Sequence, residues 1–472
     1  MGEEIARTRF SREDFREFQR RLKAETELLR QWLEDGRFAA EEPVAGAELE
    51  AWLTTPQGMP AARNLSFLER AADLDVLPEL SQFNVEFNVD PVPLRGKALS
   101  RLERELMDNW QKAGGIAEDL DIRLLMIGIL PTITEQDMTL ENLSMMKRYR
   151  ALNQEIMALR KGRALTLDIS GREHLRTLHR DIMLEAATTS FQMHLQIDAA
   201  NSARWYNASK IASAPLVAVA ANSPFLFGRD LWAETRIPLF EQAVSVGKWD
   251  YMERVTFGIR YLEEGAYEIF KANRQRYPVI LPMLFDAPVE ELRHLRLHNG
   301  TIWRWNRLLV GFSDDGRPHL RIEQRVVPAG PTIVDGIANA AFYYGLVKAL
   351  AEEPQDLEER LPFHVARDNF YSAARDGLEA TIEWADETVW PLVRAFEEFL
   401  LPMAERGLEQ LGIATRDRTR YLGIIARRAA TRRNGASWQR EWVARHGRDM
   451  EALVRAYREC QESGEPVHEW PT

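Results

Sequence analysis

The sequence predicts an α+β fold: a curved antiparallel sheet with one face packed on helices and a polar face lining a cavity, then a long helical C-terminal part. Three observations carry this expectation. Several short segments alternate apolar and polar residues, so each strand turns its polar side chains to one face of a sheet. Those polar faces carry Glu48, Glu50, Glu86, His194, Glu323 and Arg325. Between the strands, and from Val334 onward, apolar residues recur at helical spacing instead. The organisation expected is an N-terminal helical extension over residues 1–40, the sheet with inserted helices over 41–350, and a helical region over 351–472 packed on it.

Composition narrows the function classes. A chain of 472 residues with 45% hydrophobic and 28% charged residues can bury a large core, as one big domain or two intimate ones. A formal net charge of -11 argues against a general nucleic-acid binder. The single cysteine, Cys460, excludes an intramolecular disulfide and a cysteine zinc cluster, lies in a polar C-terminal tail, and suggests no catalytic role. Met1 to Arg9 has no apolar signal core, so a cytoplasmic protein is expected. Ile211 to Gly228 lacks charges, but its apolar core is short and interrupted by prolines, which reads as a buried helix running into a turn rather than a membrane span.

Ser11 to Glu34, with Phe15, Phe18, Leu22, Leu29 and Trp32 at helical spacing, is an amphipathic helix capped by Ser11. Val44 to Leu53 is a strand that puts Glu48 and Glu50 on one face. Two like charges there repel and are costly to bury unless a cation holds them, and Mg²⁺ takes carboxylate oxygens readily. Thr55-Pro56-Gln57-Gly58 ends that strand in a turn. Gln82 to Val89 alternates, with Phe83, Val85 and Phe87 on one face and Asn84, Glu86 and Asn88 on the other. Ala98 to Lys112 is a helix, Arg123 to Leu130 a buried strand, and Met145 to Leu159 and Arg172 to Glu185 are helices, with Gly162-Arg163 between them a loop.

Phe191 to Asp198 alternates again, aligning Gln192, His194, Gln196 and Asp198. The next helix breaks at Ala221-Asn222-Ser223-Pro224-Phe225. Trp303 to Val310 and His319 to Val327 are strands joined through Ser313-Asp314-Asp315-Gly316, and the second aligns Arg321, Glu323 and Arg325. From Val334 the pattern is helical, with Trp384, Trp390, Phe396, Phe399 and Leu400 as core candidates. Clustered carboxylates with one histidine and nearby arginines are what a site for Mg²⁺ and a nucleoside triphosphate requires. No P-loop or G-x-G-x-x-G sequence is present to hold the nucleotide by other means.

Several separated motifs, in one order, resemble the glutamate–cysteine ligase family, in its bacterial and plant-like carboxylate–amine ligase branch. Gly46-Ala47-Glu48-Leu49-Glu50 resembles the family's opening G-x-E-x-E strand, and Pro60 to Asn64 resembles the segment after that strand. Phe83 to Phe87 is similar to its second acidic strand, Arg148-Tyr149 to an R-Y helix opening, and Gln192-Met193-His194 to its Q/H-x-H strand. Ala221 to Phe225 with Gly228-Arg229 and Thr235-Arg236 resembles the A-N-S-P-F run, and Leu320 to Arg325 the L-E-x-R strand. Ala374 to Leu378 and Asn434 to Arg440 resemble two C-terminal helix signatures.

The resemblance implies a glutamine-synthetase-like sheet and ATP-dependent amide formation, most readily γ-glutamyl, through an acyl phosphate. It implies Glu48, Glu50, Glu86, His194 and Glu323 as Mg²⁺ ligands and Arg325 as the group stabilising the transferred phosphoryl. It gives Arg236 a substrate carboxylate, and Arg148, Tyr149, Gln192 and Asn222 contacts to substrate. The partners implied are a small carboxylate and an amine, cysteine being the family's usual one, and a homo-oligomer is compatible with this. Two departures stand out: Gln192 replaces a histidine found in many members, and Gly128-Ile129-Leu130-Pro131 stands where they have G-T-H-P. They motivate the competing reading, a binding protein that keeps the fold without catalysis. A metal-dependent hydrolase ranks last, since the chain has only nine histidines.

Overall fold

Val44–Thr54 lies at the centre of the sheet because it has antiparallel partners on both sides. Along one edge it pairs with Phe191–Ile197, and along the other with Asn84–Asn88. Pro318–Gln324 and then Asn306–Phe312 continue the sheet past the first neighbour, and Val76–Pro78 past the second. Val92–Pro93 and Arg123–Leu125 add pairs at the two ends of the central strand. In the computed structural model the described residues are 5, 7–38, 42–246, 253–354, 357–385 and 387–472. The fold is α+β, built on this curled antiparallel sheet and rich in helix toward the C-terminus.

One face of the sheet is sealed by two helices buried on nearly all sides, Ser202–Ala220 and Ile333–Ala351. Their hydroxyls are used as well: Ser209 and Ser213 hydrogen-bond the Asn306 side chain, which points away from its neighbour Arg307. Ile333–Ala351 also crosses Leu401–Gln410 with the two backbones in contact. A Cβ added at Gly407 would fall 1.8 Å from the Gly345 carbonyl oxygen, and one at Gly345 would fall 2.2 Å from the Ala404 oxygen. Gly407→Ala is therefore expected to push the helices apart and to lower stability by about 3 kcal/mol, the upper end for overpacking, as measured by urea unfolding. Arg428, fully buried, ties the helix Thr415–Thr431 to the same element through Asp335 at 2.6 Å and Asn339 at 2.7 Å.

The N-terminal helix Arg12–Glu34 starts as expected, with Ser11 and Asp14 forming a capping box. Glu25 docks it from a buried position, accepting from the Leu295 backbone N–H at 2.7 Å and pairing with His294. Trp32 meets Phe312 edge to face at the outer strand of the sheet.

Four local expectations are corrected by the structure. Arg172 to Glu185 is not a helix: His174–His179 pairs with Leu165–Ser170 as a hairpin that turns at Gly171, and a 3₁₀ turn comes next at Met183–Ala187. Leu175 and Leu178 have helical spacing, but burying the alternating Leu165, Leu167 and Ile169 decides for the strand. Of Arg123 to Leu130, only Arg123–Leu125 pairs in the sheet; the rest is buried irregular chain whose carbonyls are met by side chains, as Trp52 Nε1 donates to the Ile127 oxygen at 3.0 Å. A hairpin, Thr381–Trp384 with Thr388–Pro391, interrupts the helical C-terminal part. Cys460 lies half-buried in the helix Met450–Glu462 rather than in a tail. Trp384 and Trp390 are half-buried and pack on Phe399, whereas Phe396 and Leu400 are fully buried. Among the described residues no helix is long and apolar enough to cross a membrane.

Candidate active site

The register of five neighbouring strands brings the polar residues onto one sheet face. Glu48 lies opposite Gln192 and Glu50 opposite Glu86 across the central strand. His194 is in turn opposite Glu323, and Glu323 opposite Arg307. Two groups of metal-ligand type result, Glu48–His194–Glu323 and Glu50–Glu79–Glu86. Within each, one ligand atom per residue lies within 4.8 Å of the others. His194 Nε2 sits 3.5 Å from Glu48 Oε1 and 3.7 Å from Glu323 Oε1, buried and without a hydrogen bond.

Arginines close the face on one side. Arg307 donates to Glu323 Oε1 at 2.7 Å and Arg325 to Glu323 Oε2 at 3.0 Å. Arg325 also donates to the Gln192 amide oxygen, and Gln192 Nε2 donates to Glu50 Oε1 at 2.8 Å. The Ser190 backbone N–H donates to Glu50 Oε2 at 2.6 Å. Gln192 thus links the two acidic groups.

Protonation differs sharply across the site. Burial pushes the Glu86 carboxyl well above its usual range, and the charges of Glu48, Glu79 and Glu50 push it further. Glu79 is raised to about 7 by burial and by Glu50. Glu50 is raised by burial against the pull of Arg325 and Arg236, and Glu185 by burial with Glu79 and Glu50 beside it. Glu323 goes the other way: burial opposes ionisation, but Arg307 and Arg325 outweigh it and hold the carboxyl below its ordinary value. Burial lowers His194, leaving a neutral imidazole suited to a metal ion.

Carboxyls crowded together by burial, their affinity for protons raised by one another's charge, fit a divalent cation. The orphaned His194 Nε2 points to the same kind of group. This protonation makes stability depend on pH. Between the ordinary carboxyl value of 4.5 and about 7, the folded chain holds the Glu79 proton that the unfolded chain has lost. Stability is therefore expected to fall as pH rises through that window, and added Mg²⁺ to restore it. Melting curves with EDTA or Mg²⁺ check this: the Mg²⁺ gain should be larger at pH 8 than at pH 5.

The remaining sequence candidates are placed differently. Arg236, only 2% exposed, is held by Glu234 at 2.9 Å and by the Arg325 and Val326 carbonyls at 3.2 Å each, beneath the strand end that carries Arg325. Asn222 is fully buried. Its amide donates to the Ala329 oxygen and the Tyr457 hydroxyl at 2.8 Å each and accepts from Gln439 at 3.0 Å, which stitches the segment after the helix, 221–225, to the C-terminal helices. Arg148 donates to the Tyr149 hydroxyl at 2.6 Å and lies within the field of Glu79, at the border of the acidic cluster.

Glu79, Glu185 and Arg307 join the site without being candidates on sequence grounds. Arg307 had a signal: counting back across the Asp-Gly turn sets it opposite Glu323. Glu79 comes after a short strand ending in proline, and Glu185 sits in a 3₁₀ turn, so neither carries a periodic pattern.

The curled antiparallel sheet gathers carboxylates, a histidine and arginines on one face, and the family match makes the chain a carboxylate–amine ligase. The chain belongs to glutamate–cysteine ligase family 2 (GCS2), whose family model matches residues 35–459, and it is thus an enzyme that forms carbon–nitrogen bonds. Among solved structures it is similar to a glutamate–cysteine ligase of Francisella tularensis in complex with AMP. That likeness has 13% identity and a TM-score of 0.50 over 92% of this chain and 91% of the other. It is also similar to a bifunctional glutathione synthetase from Pasteurella multocida, at 11% identity and a TM-score of 0.55, covering 90% of this chain and 52% of that one. At such identities the likeness is one of fold. No curated protein matches the chain.

Proposed function

We propose that this ligase uses ATP to join the γ-carboxyl of glutamate to an amine, with cysteine the first acceptor to test, as a small-molecule enzyme of the cytoplasm. The observation that carries the reading is the pair of adjoining carboxylate clusters closed by Arg307 and Arg325. Membership of the family supports the substrate class, and the solved relative with AMP supports nucleotide use. A carboxylate is a poor electrophile; phosphorylation gives it a leaving group, and the amine then displaces phosphate from the acyl phosphate.

In this reading Glu48, His194 and Glu323 hold one Mg²⁺, and Glu50, Glu86 and the newly found Glu79 a second. Bound there, Mg²⁺ supplies charge neutralisation for phosphate oxygens. Arg325, kept charged by Glu323 and Glu50, is aimed at the transferring phosphoryl group. Arg236 acts as a positioning residue beneath it, by fixing the Arg325 carbonyl, and Asn222 holds the adjacent loop in the same way. Gln192 keeps Glu50 and Arg325 in register, and Arg148 with Tyr149 borders the substrate side.

The test is turnover with Mg-ATP, glutamate and a panel of amines, with products weighed by mass spectrometry. Phosphate release that requires an amine, together with a product of the amide mass, is the expected result. ATP consumption indifferent to amines, or silence across a broad panel, would contradict it.

A further inference from the structure

The helix Ser202–Ala220 buries a lysine among aromatic rings. Lys210 is 2% exposed; its ammonium donates to the Phe257 carbonyl and lies 4.8 Å from the Phe257 ring centre and 5.0 Å from that of Tyr206. Among the described residues no carboxylate pairs with it. The charged group that bears on it is a second cation, Arg304, whose guanidinium lies 5.7 Å from the Tyr277 ring centre. Burying an ammonium costs several kcal/mol unless an anion compensates, and a like charge beside it adds to the cost. Burial and Arg304 accordingly hold the Lys210 amine well below its ordinary value.

Lys210 and Arg304 line a cavity of about 50 Å³, with the exposed Arg260 and Arg276 at its mouth. One water needs roughly 10–15 Å³ of such space, so the cavity takes a group of a few heavy atoms, such as one small polyatomic ion. Glu268, the carboxylate among the lining residues, is already engaged: it accepts from the backbone N–H groups of Glu263, Glu264 and Gly265 and pairs with Arg260. The opposite wall is Gly258, at φ 108, where a Cβ would stand 2.9 Å from Lys210 Nζ, so the backbone approaches the amine as closely as the chain allows. The cavity lies on the helix-packed side of the sheet. Asn306 faces that side and hydrogen-bonds Ser209, next to Lys210, while Arg307 faces the carboxylate clusters on the other.

We propose that this cavity binds a small oxyanion, with Lys210 and Arg304 as its buried counter-charges and Arg260 and Arg276 guiding entry. The site is separate from the acidic face and does not depend on the ligase reading. Inorganic phosphate serves as the test ion, in EDTA at constant ionic strength set with chloride, monitored by calorimetry and melting temperature. Saturable binding is expected in the wild type, weakened at least ~10-fold in Lys210→Met and in Arg304→Gln, in line with about 1.4 kcal/mol per decade. Glu48→Gln should bind phosphate as the wild type does. Two variants keep the test open should one fail to fold. Absence of binding in the wild type, binding as tight as wild type in both cavity variants, or loss in Glu48→Gln with retention in Lys210→Met would overturn the proposal.

Discussion

Glu48→Gln is expected to lower amide-forming turnover by about 10³-fold with the melting temperature unchanged. The substitution removes one negative charge and almost no volume. Glu48 stands at the half-open end of the Glu48–His194–Glu323 group, 3.5 Å from His194 and without a structural ion pair to an arginine among the described residues. Its charge therefore serves what binds there more than it serves the fold. Losing several kcal/mol of charge stabilisation, at about 1.36 kcal/mol per decade, gives that factor. The check is steady-state turnover against Mg²⁺ concentration together with a melting curve. Full activity in Glu48→Gln would remove this residue from the site.

Arg325→Met has a different signature, because this arginine serves both chemistry and structure. It is 11% exposed at its side chain and reaches Glu323 and Gln192 at once. Without it, Glu323 keeps only Arg307 as a direct arginine partner among the described residues, and the half-buried Glu50 loses the cation that most favours its charge. Breaking a buried pair in this way costs about 3 kcal/mol. Removing the cation facing a transferring phosphoryl group costs about 10³-fold or more in rate. Denaturant unfolding and single-turnover kinetics separate the two effects. Arg325→Lys should recover most of the stability and little of the rate, since an ammonium cannot reach both partners with a planar fork.

The parts of the site that can be read from the sequence are those with a strict local period. Glu48 and Glu50, Glu86, His194, and Glu323 with Arg325 each sit two residues from another polar residue in an alternating strand, so their faces are readable. The pairing of those strands is not, because register between distant segments is set by packing against Ser202–Ala220 and Ile333–Ala351. Glu79 is hidden for want of alternation. Asn222 and Arg236 show the reverse limit: their residue types suggest ligand contacts, yet distant groups engage them, Tyr457 and Gln439 at Asn222 and the Arg325 and Val326 carbonyls at Arg236. The hairpin at 165–179 is masked because two leucines three residues apart suit a helix as well as a strand.

Acidic side chains from separate strands converge, in this reading, to hold divalent cations beside a nucleotide. Mn²⁺ binding measured by electron paramagnetic resonance, with a non-hydrolysable ATP analogue present, tests that convergence most directly. Saturable Mn²⁺ binding is predicted, strengthened by the nucleotide and markedly weaker in Glu86→Gln and Glu48→Gln. Nucleotide binding indifferent to the metal, or Mn²⁺ binding untouched by both substitutions, would contradict it.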